Sequence, residues 1–218
     1  MLTARIAVVV SGGGTNLQAL IDAQARGELK SGRIALVIAD KAGIGAIGRA
    51  EAAGIDCEVI IRREPDFEEK VLSALAEYSI DMVVLAGFLG IFSADLLRRF
   101  GKPMINIHPA LIPSFCGKGF YGLRVHQAAL DYGVKVTGAT VHYVNEVTDG
   151  GEIILQKAVD VLPGDTPEIL QRRVMEQAEW VLLPRAAELV ARQLVRKEEN
   201  DAPGYIFGSV VNGKETEL

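Results

Sequence analysis

Cysteine is nearly absent from this sequence. Cys57 lies in a strand-like run and Cys116 in a glycine-containing loop, and two thiols so placed make no disulfide framework, so a reducing, cytoplasmic setting is expected. No apolar run approaches the ~20 residues a membrane span needs, and no membrane partner is expected. The opening "MLTARIAVVV" carries one Arg and runs directly into an apolar segment without a small-residue cleavage site, which argues against a secretory signal. Positive charge is also short: 23 Lys and Arg against 28 Asp and Glu give a net charge of -5, with the cations scattered. Without a basic stripe there is no footprint for phosphate neutralisation, so a small-molecule partner is expected rather than nucleic acid. Of the three histidines, His108, His126 and His142, no two stand at metal-ligand spacing, and no metal is expected.

What is present is an alternation. Short Val- and Ile-rich runs recur at "RIAVVV", "RIALVIA", "CEVII", "DMVVLAG" and "PMINI", with amphipathic segments of helical period between them. Such βαβ alternation predicts an α/β fold, a doubly wound and mostly parallel sheet covered on both faces. From Val136 the pattern changes to "VTGATVHYV", the turn-like "NEVTDGG" and "EIILQKAVDV", which predicts a hairpin and hence an antiparallel edge. Beyond "PGD", Thr166 suits an N-cap and Pro167 a first helical position, opening what reads as the longest helix of the chain. The expected organisation is one catalytic domain over residues 1–197 and a peripheral tail over 198–218.

In an open parallel sheet, ligands bind outside the carboxyl ends of the strands, so the loops there carry the chemistry. The first, "SGGGTN" (Ser11 to Asn16), combines three glycines with the start of a helix, an arrangement that lets backbone N–H groups face an oxyanion. It lacks the Lys of a P-loop, and Leu17 stands where the third glycine of a dinucleotide fingerprint belongs. Asp40, ending the second strand, keeps a nicotinamide-dependent enzyme open as an alternative. The stretch "AGFLGIF" (Ala86 to Phe92) sets glycines among apolar side chains, which suits a flat heterocycle, although core packing explains it equally well.

The fifth run ends in "NIHPALIP". Strand alternation puts Asn106 and His108 on one face, and Pro109 and Pro113 stiffen the exit. An amide with N–H donors beside an imidazole suits stabilisation of an oxyanion and proton shuttling, the needs of acyl transfer. No GxSxG elbow offers a covalent nucleophile, so direct attack of acceptor on donor is expected. Asp149, in the "TDGG" turn, orients His108 and assists proton removal if the hairpin folds over the strand ends; as an ordinary turn aspartate it would do neither. His126 reads as an outer-shell or surface group, and His142 as either lining the cleft or facing solvent.

The ordered set "SGGGTNLQ", "VVLAGFLGIFS", "INIHPALIPSF", "HQAALDYGVKVTGATVHYV" and "TDGGEIILQ" resembles the folate-dependent formyl transferases, within them the phosphoribosylglycinamide branch, over about residues 5 to 195. The resemblance implies a Rossmann-like formyltransferase fold, and formyl transfer from 10-formyltetrahydrofolate, as co-substrate, to the amine of 5'-phosphoribosylglycinamide in purine (IMP) biosynthesis. It implies Asn106, His108 and Asp149 as the catalytic trio. It implies Gly14, Thr15, Asn16, Gly87, Pro109 and Glu179 around the phosphoribosyl substrate, and Arg63, Leu89, Gly90, Ile91, Phe92, Asn106 and Val147 around the folate. No metal is implied, and the chain would act as a monomer or homodimer. Gly90 departs from the Arg found in many members, and the loop from Cys116 to His126 is longer than the family's shorter form.

Overall fold

In the computed structural model, which describes residues 3–201, the alternation becomes one seven-stranded sheet in the order β3-β2-β1-β4-β5-β6-β7. β1 (Ala4–Val10), β2 (Gly32–Ala39), β3 (Cys57–Val59), β4 (Met82–Leu85) and β5 (Met104–His108) run parallel. β6 (Val136–Tyr143) pairs antiparallel with β5, and β7 (Ile153–Asp160) antiparallel with β6. The central strands are buried on both faces, β1 from Ile6 to Val10 without a break, and this is why their sequences read as continuous apolar runs.

Successive side chains of each strand enter opposite layers. On one face Ile6, Val8 and Val10 of β1 pack beneath α1 (Thr15–Ala25) and the C-terminal helices, while on the other Ala7 and Val9 join Val71 and Leu75 of α3 (Phe67–Glu77) and Leu96 of α4 (Ala94–Phe100). α2 (Gly45–Ala52) lies on the first face, and α5 (Leu123–Tyr132) precedes the antiparallel edge. The chain winds outward from β1 to β3, then crosses back to β4 beside β1. The loops after β1 and β4 therefore diverge at a topological switch point, where a crevice opens.

The C-terminal run departs from the single long helix expected. α6 (Pro167–Val174) begins as read, with Thr166 Oγ1 accepting from the Ile169 N–H at 3.3 Å. A π-helical turn follows at Met175–Glu179 before α7 (Trp180–Asp201). Amphipathic periodicity continues through both helices, so it cannot disclose one extra residue in a turn. Helix α7 passes the boundary expected at residue 198; the rest of the expected tail, 202–218, lies outside the described residues. No helix among the described residues is long and apolar enough to cross a membrane.

The hairpin loop between β6 and β7 is fixed by a glycine that admits no substitute. A Cβ on Gly151 would lie 1.7 Å from the Tyr143 carbonyl oxygen, whose neighbouring N–H is paired across the hairpin with Glu152. Gly151→Ala is therefore expected to lower stability by more than about 2 kcal/mol. Urea unfolding monitored by circular dichroism measures it.

Candidate active site

The crevice at the switch point is a cleft of about 570 Å³ between the loop after β1, the loop after β4, the end of β5 and the β6–β7 loop. Its floor is the end of β5. Asn106 and His108 both face the cleft, as strand alternation requires, and both pair across the antiparallel register, Asn106 with His142 and His108 with Thr140. Thr140 holds the exit of the strand: its hydroxyl donates to the Ala110 carbonyl at 2.7 Å and accepts from the Ile112 N–H at 3.1 Å. The Gln156 amide adds a further donor to it at 2.9 Å.

Proton positions follow from the partners. His108 Nε2 lies 2.9 Å from the Phe115 carbonyl oxygen, which only accepts, so Nε2 carries a proton and Nδ1 is left facing Asp149 Oδ2 at 3.6 Å. His142 Nδ1 donates in the same way to the Tyr143 carbonyl at 2.8 Å. Its Nε2 lies 3.1 Å from Asn106 Nδ2 and accepts from that amide when the ring is neutral, leaving the second N–H of Asn106 for the cleft. Asp149 Oδ1 stands 3.6 Å from the same His142 nitrogen.

Asp149 has a left-handed backbone, φ 55°, and its Oδ2 accepts the Gly117 N–H at 2.7 Å. Burial pushes this carboxyl up, but contact with His142, the field of His108 and the Gly117 N–H together outweigh burial and hold it below the ordinary aspartate range. The carboxylate is thus ionised at neutral pH and ties the hairpin loop to the strand ends.

At one end of the cleft lies the glycine-rich loop. Gly14 begins α1 at φ 75°, and a Cβ there would sit 2.8 Å from Ala46 Cα, so both conformation and space demand glycine. Thr15 and Asn16 follow on the helix start, and Asn16 Nδ2 donates to Glu179 Oε2 at 2.6 Å across 163 residues. Burial pushes the Glu179 carboxyl up, the Asn16 contact only partly opposing it. Glu179 is the last residue of the π-helical turn, and the buried Asn16 Oδ1 has no protein partner. At the other end Leu89, Ile91 and Val147 are 51%, 71% and 65% exposed, an apolar wall open to the cleft. The wall is backed by a stack in which the rings of Phe88 and Phe92 lie 4.9 Å apart, with Phe67 behind them.

Of the residues named from sequence, Gly14, Thr15, Asn16, Gly87, Leu89, Gly90, Ile91, Phe92, Asn106, His108, Pro109, Val147, Asp149 and Glu179 all line this cleft. Arg63 does not; it is exposed in the turn after β3, and its neighbour Arg62, also exposed, pairs with Asp40. Asp40 is also outside the cleft, buried and bonded to Ser11, which removes the ribose role on which the nicotinamide alternative rested. His142, left open by sequence, is a full member of the site, and the register of β5 on β6 is what would have shown it. His126, read as outer-shell or surface, is fully buried on α5.

With this geometry in view, comparison with known proteins gives one answer. Residues 4–186 match the formyl transferase family. The chain belongs to that family. It is 36% identical to phosphoribosylglycinamide formyltransferase of Haemophilus influenzae over 95% of both chains. It is 45% identical to the trifunctional purine biosynthetic protein adenosine-3 of Bos taurus over 90% of this chain, which spans only 19% of that longer protein. The crystal structure of glycinamide ribonucleotide transformylase 1 from Symbiobacterium toebii superposes with a TM-score of 0.81 at 39% identity, covering 88% of this chain and 89% of that one.

His126 generates a test of the ground beneath the site. Burial, with a smaller contribution from the charge of His108, pushes its imidazole down to about 4 from 6.5. Between those values the unfolded chain binds a proton that the folded chain refuses, so stability is complete above pH 6.5 and falls as pH drops toward 4. The loss from this group at pH 5 is about 2 kcal/mol. His126→Leu is expected to lose correspondingly less stability between pH 7 and pH 5 than the parent, as measured by urea unfolding at the two pH values.

Proposed function

We propose that this chain transfers the formyl group of 10-formyltetrahydrofolate to the amine of 5'-phosphoribosylglycinamide, a step of purine biosynthesis, by direct attack. The observation that carries the reading is the convergence of Asn106, His108 and Asp149 on the cleft floor, between a glycine-lined helix start and an exposed apolar wall. Family membership and the names of the relatives of similar length support the same substrates.

Each part of the cleft has a use in that reaction. The backbone at Gly14, Thr15 and Asn16, with the positive end of α1, suits the substrate phosphate. Glu179 and the free Asn16 Oδ1 offer acceptors for ribose hydroxyls, and Gly87 and Pro109 bound the space between phosphate and amine. Leu89, Gly90, Ile91, Phe92 and Val147 suit a flat pterin, which needs apolar faces together with backbone hydrogen-bonding groups at its edge.

In the chemical step the amine nitrogen forms a bond to the formyl carbon while the bond from that carbon to N10 of the folate breaks. Charge develops on the formyl oxygen, and it is stabilised by the second N–H of Asn106 and by a proton on His108 Nδ1, the ring nitrogen that the Phe115 carbonyl leaves free beside Asp149. Asp149 holds the His108 ring and helps move the proton lost by the amine, through water, toward N10 as it leaves. The products are the formylated amine and tetrahydrofolate, and no covalent bond to the enzyme is made.

Purified protein is expected to convert phosphoribosylglycinamide only when 10-formyltetrahydrofolate is supplied, followed by absorbance of the folate product. His108→Ala and Asp149→Ala are each expected to lower kcat roughly 10²- to 10⁴-fold with folding intact. Undiminished turnover in His108→Ala would remove it from the oxyanion site.

A further inference from the structure

Outside the catalytic trio, a chain of polar contacts centred on the buried Ser11 and Asp40 ties four strand ends together, and nothing in the transfer chemistry uses it. Ser11, at the end of β1, donates its hydroxyl proton to Asp40 Oδ2 at 2.8 Å and accepts the Leu89 N–H at 2.9 Å. Asp40, at the end of β2, is 3% exposed, and its backbone carbonyl also accepts the Arg62 N–H at 3.0 Å. Arg62 Nε returns to Asp40 Oδ2 at 3.4 Å, while the stem of the same side chain lies against Gly90, where an added Cβ would meet Arg62 Cδ at 2.9 Å.

The direction of each hydrogen bond is forced. A carboxylate only accepts, so Ser11 must donate to Asp40, and that leaves the Ser11 oxygen aimed at the Leu89 N–H. The amide of Leu89 is thereby turned into the protein, which sets how the backbone of Leu89, Gly90 and Ile91 meets the cleft. Gly90 itself has no space for a side chain, since a Cβ would lie 2.4 Å from Phe88 Cζ. The apolar wall is therefore held from beneath by Ser11 and from the side by Arg62, and both contacts are organised by one carboxylate.

We propose that Asp40 and Ser11 are positioning residues for the formyl donor: through the Leu89 amide they fix the wall against which the folate lies, without touching the phosphoribosyl substrate. This rests on the folate reading of the cleft given above. Ser11 opens the glycine-rich loop, so a merely structural role would disturb both substrates together, whereas the tether affects the donor alone.

The test is calorimetric binding of tetrahydrofolate together with KM for both substrates, in the parent, Ser11→Ala, Asp40→Ala and Asp40→Asn, each confirmed folded by circular dichroism. Ser11→Ala and Asp40→Ala are expected to weaken tetrahydrofolate binding and raise the donor KM roughly tenfold, with the phosphoribosylglycinamide KM within about twofold of the parent. Asp40→Asn keeps an acceptor for the Ser11 hydroxyl and is expected to restore most of the affinity. Equal rises in both KM values, or unchanged folate binding in Ser11→Ala, would overturn the proposal. If the parent itself does not bind tetrahydrofolate, the functional reading falls and the proposal with it; a parent that binds while Ser11→Ala binds equally well sinks the tether alone.

Discussion

A single carboxylate, Asp149, joins the two halves of the site. It reaches from the hairpin loop to within 3.6 Å of a nitrogen on each of two histidines, His108 on β5 and His142 on β6, and it takes a backbone N–H from Gly117. Charges brought into a half-buried cleft need partners, and this one has them on three sides. The loop that bears it can stand over the strand ends only because Gly151 lets the chain pass within touching distance of Tyr143. The catalytic arrangement is thus a consequence of hairpin geometry as much as of the Asn-x-His motif.

The sheet supplies the rest. Winding outward from β1 and then back to β4 leaves the two glycine-bearing loops on either side of one crevice. β5 beside them ends in the polar pair, and the antiparallel β6 brings His142 opposite Asn106. His142 lies against the Asn106 amide, its Nε2 3.1 Å from Asn106 Nδ2, while its Nδ1 donates to the Tyr143 carbonyl. At the far end the π-helical turn places Glu179 against Asn16, joining a residue near the chain's start to one near its end.

Much of this is legible in the amino-acid order, for definite reasons. Period-two alternation alone put Asn106 and His108 on one face, and the switch from βαβ spacing to "TDGG" flanked by β-branched runs gave the antiparallel edge. Thr166 and Pro167 marked a helix start by chemistry that depends on a few adjacent residues. What stayed hidden depends on pairs far apart. His142 could be assigned only with the β5–β6 register, and the carbonyl of Phe115 and the amide of Gly117 are backbone groups that no side-chain pattern reveals. Arg63 lies in a turn without periodicity, where no spacing rule shows which way a side chain points. The burial of His126 followed from the packing of α5 onto the fold, which its own polar ring did not announce, and a π-helical turn leaves amphipathic spacing nearly unchanged.

The most direct measurement of the central claim is a crystal structure of the protein with tetrahydrofolate and phosphoribosylglycinamide bound together. The account requires N10 and the substrate amine to flank a point within about 3 Å of Asn106 Nδ2 and the His108 ring, with the phosphate at Gly14, Thr15 and Asn16. A complex in which N10 and the amine meet away from that trio, or in which the phosphate lies elsewhere than at the start of α1, would contradict it.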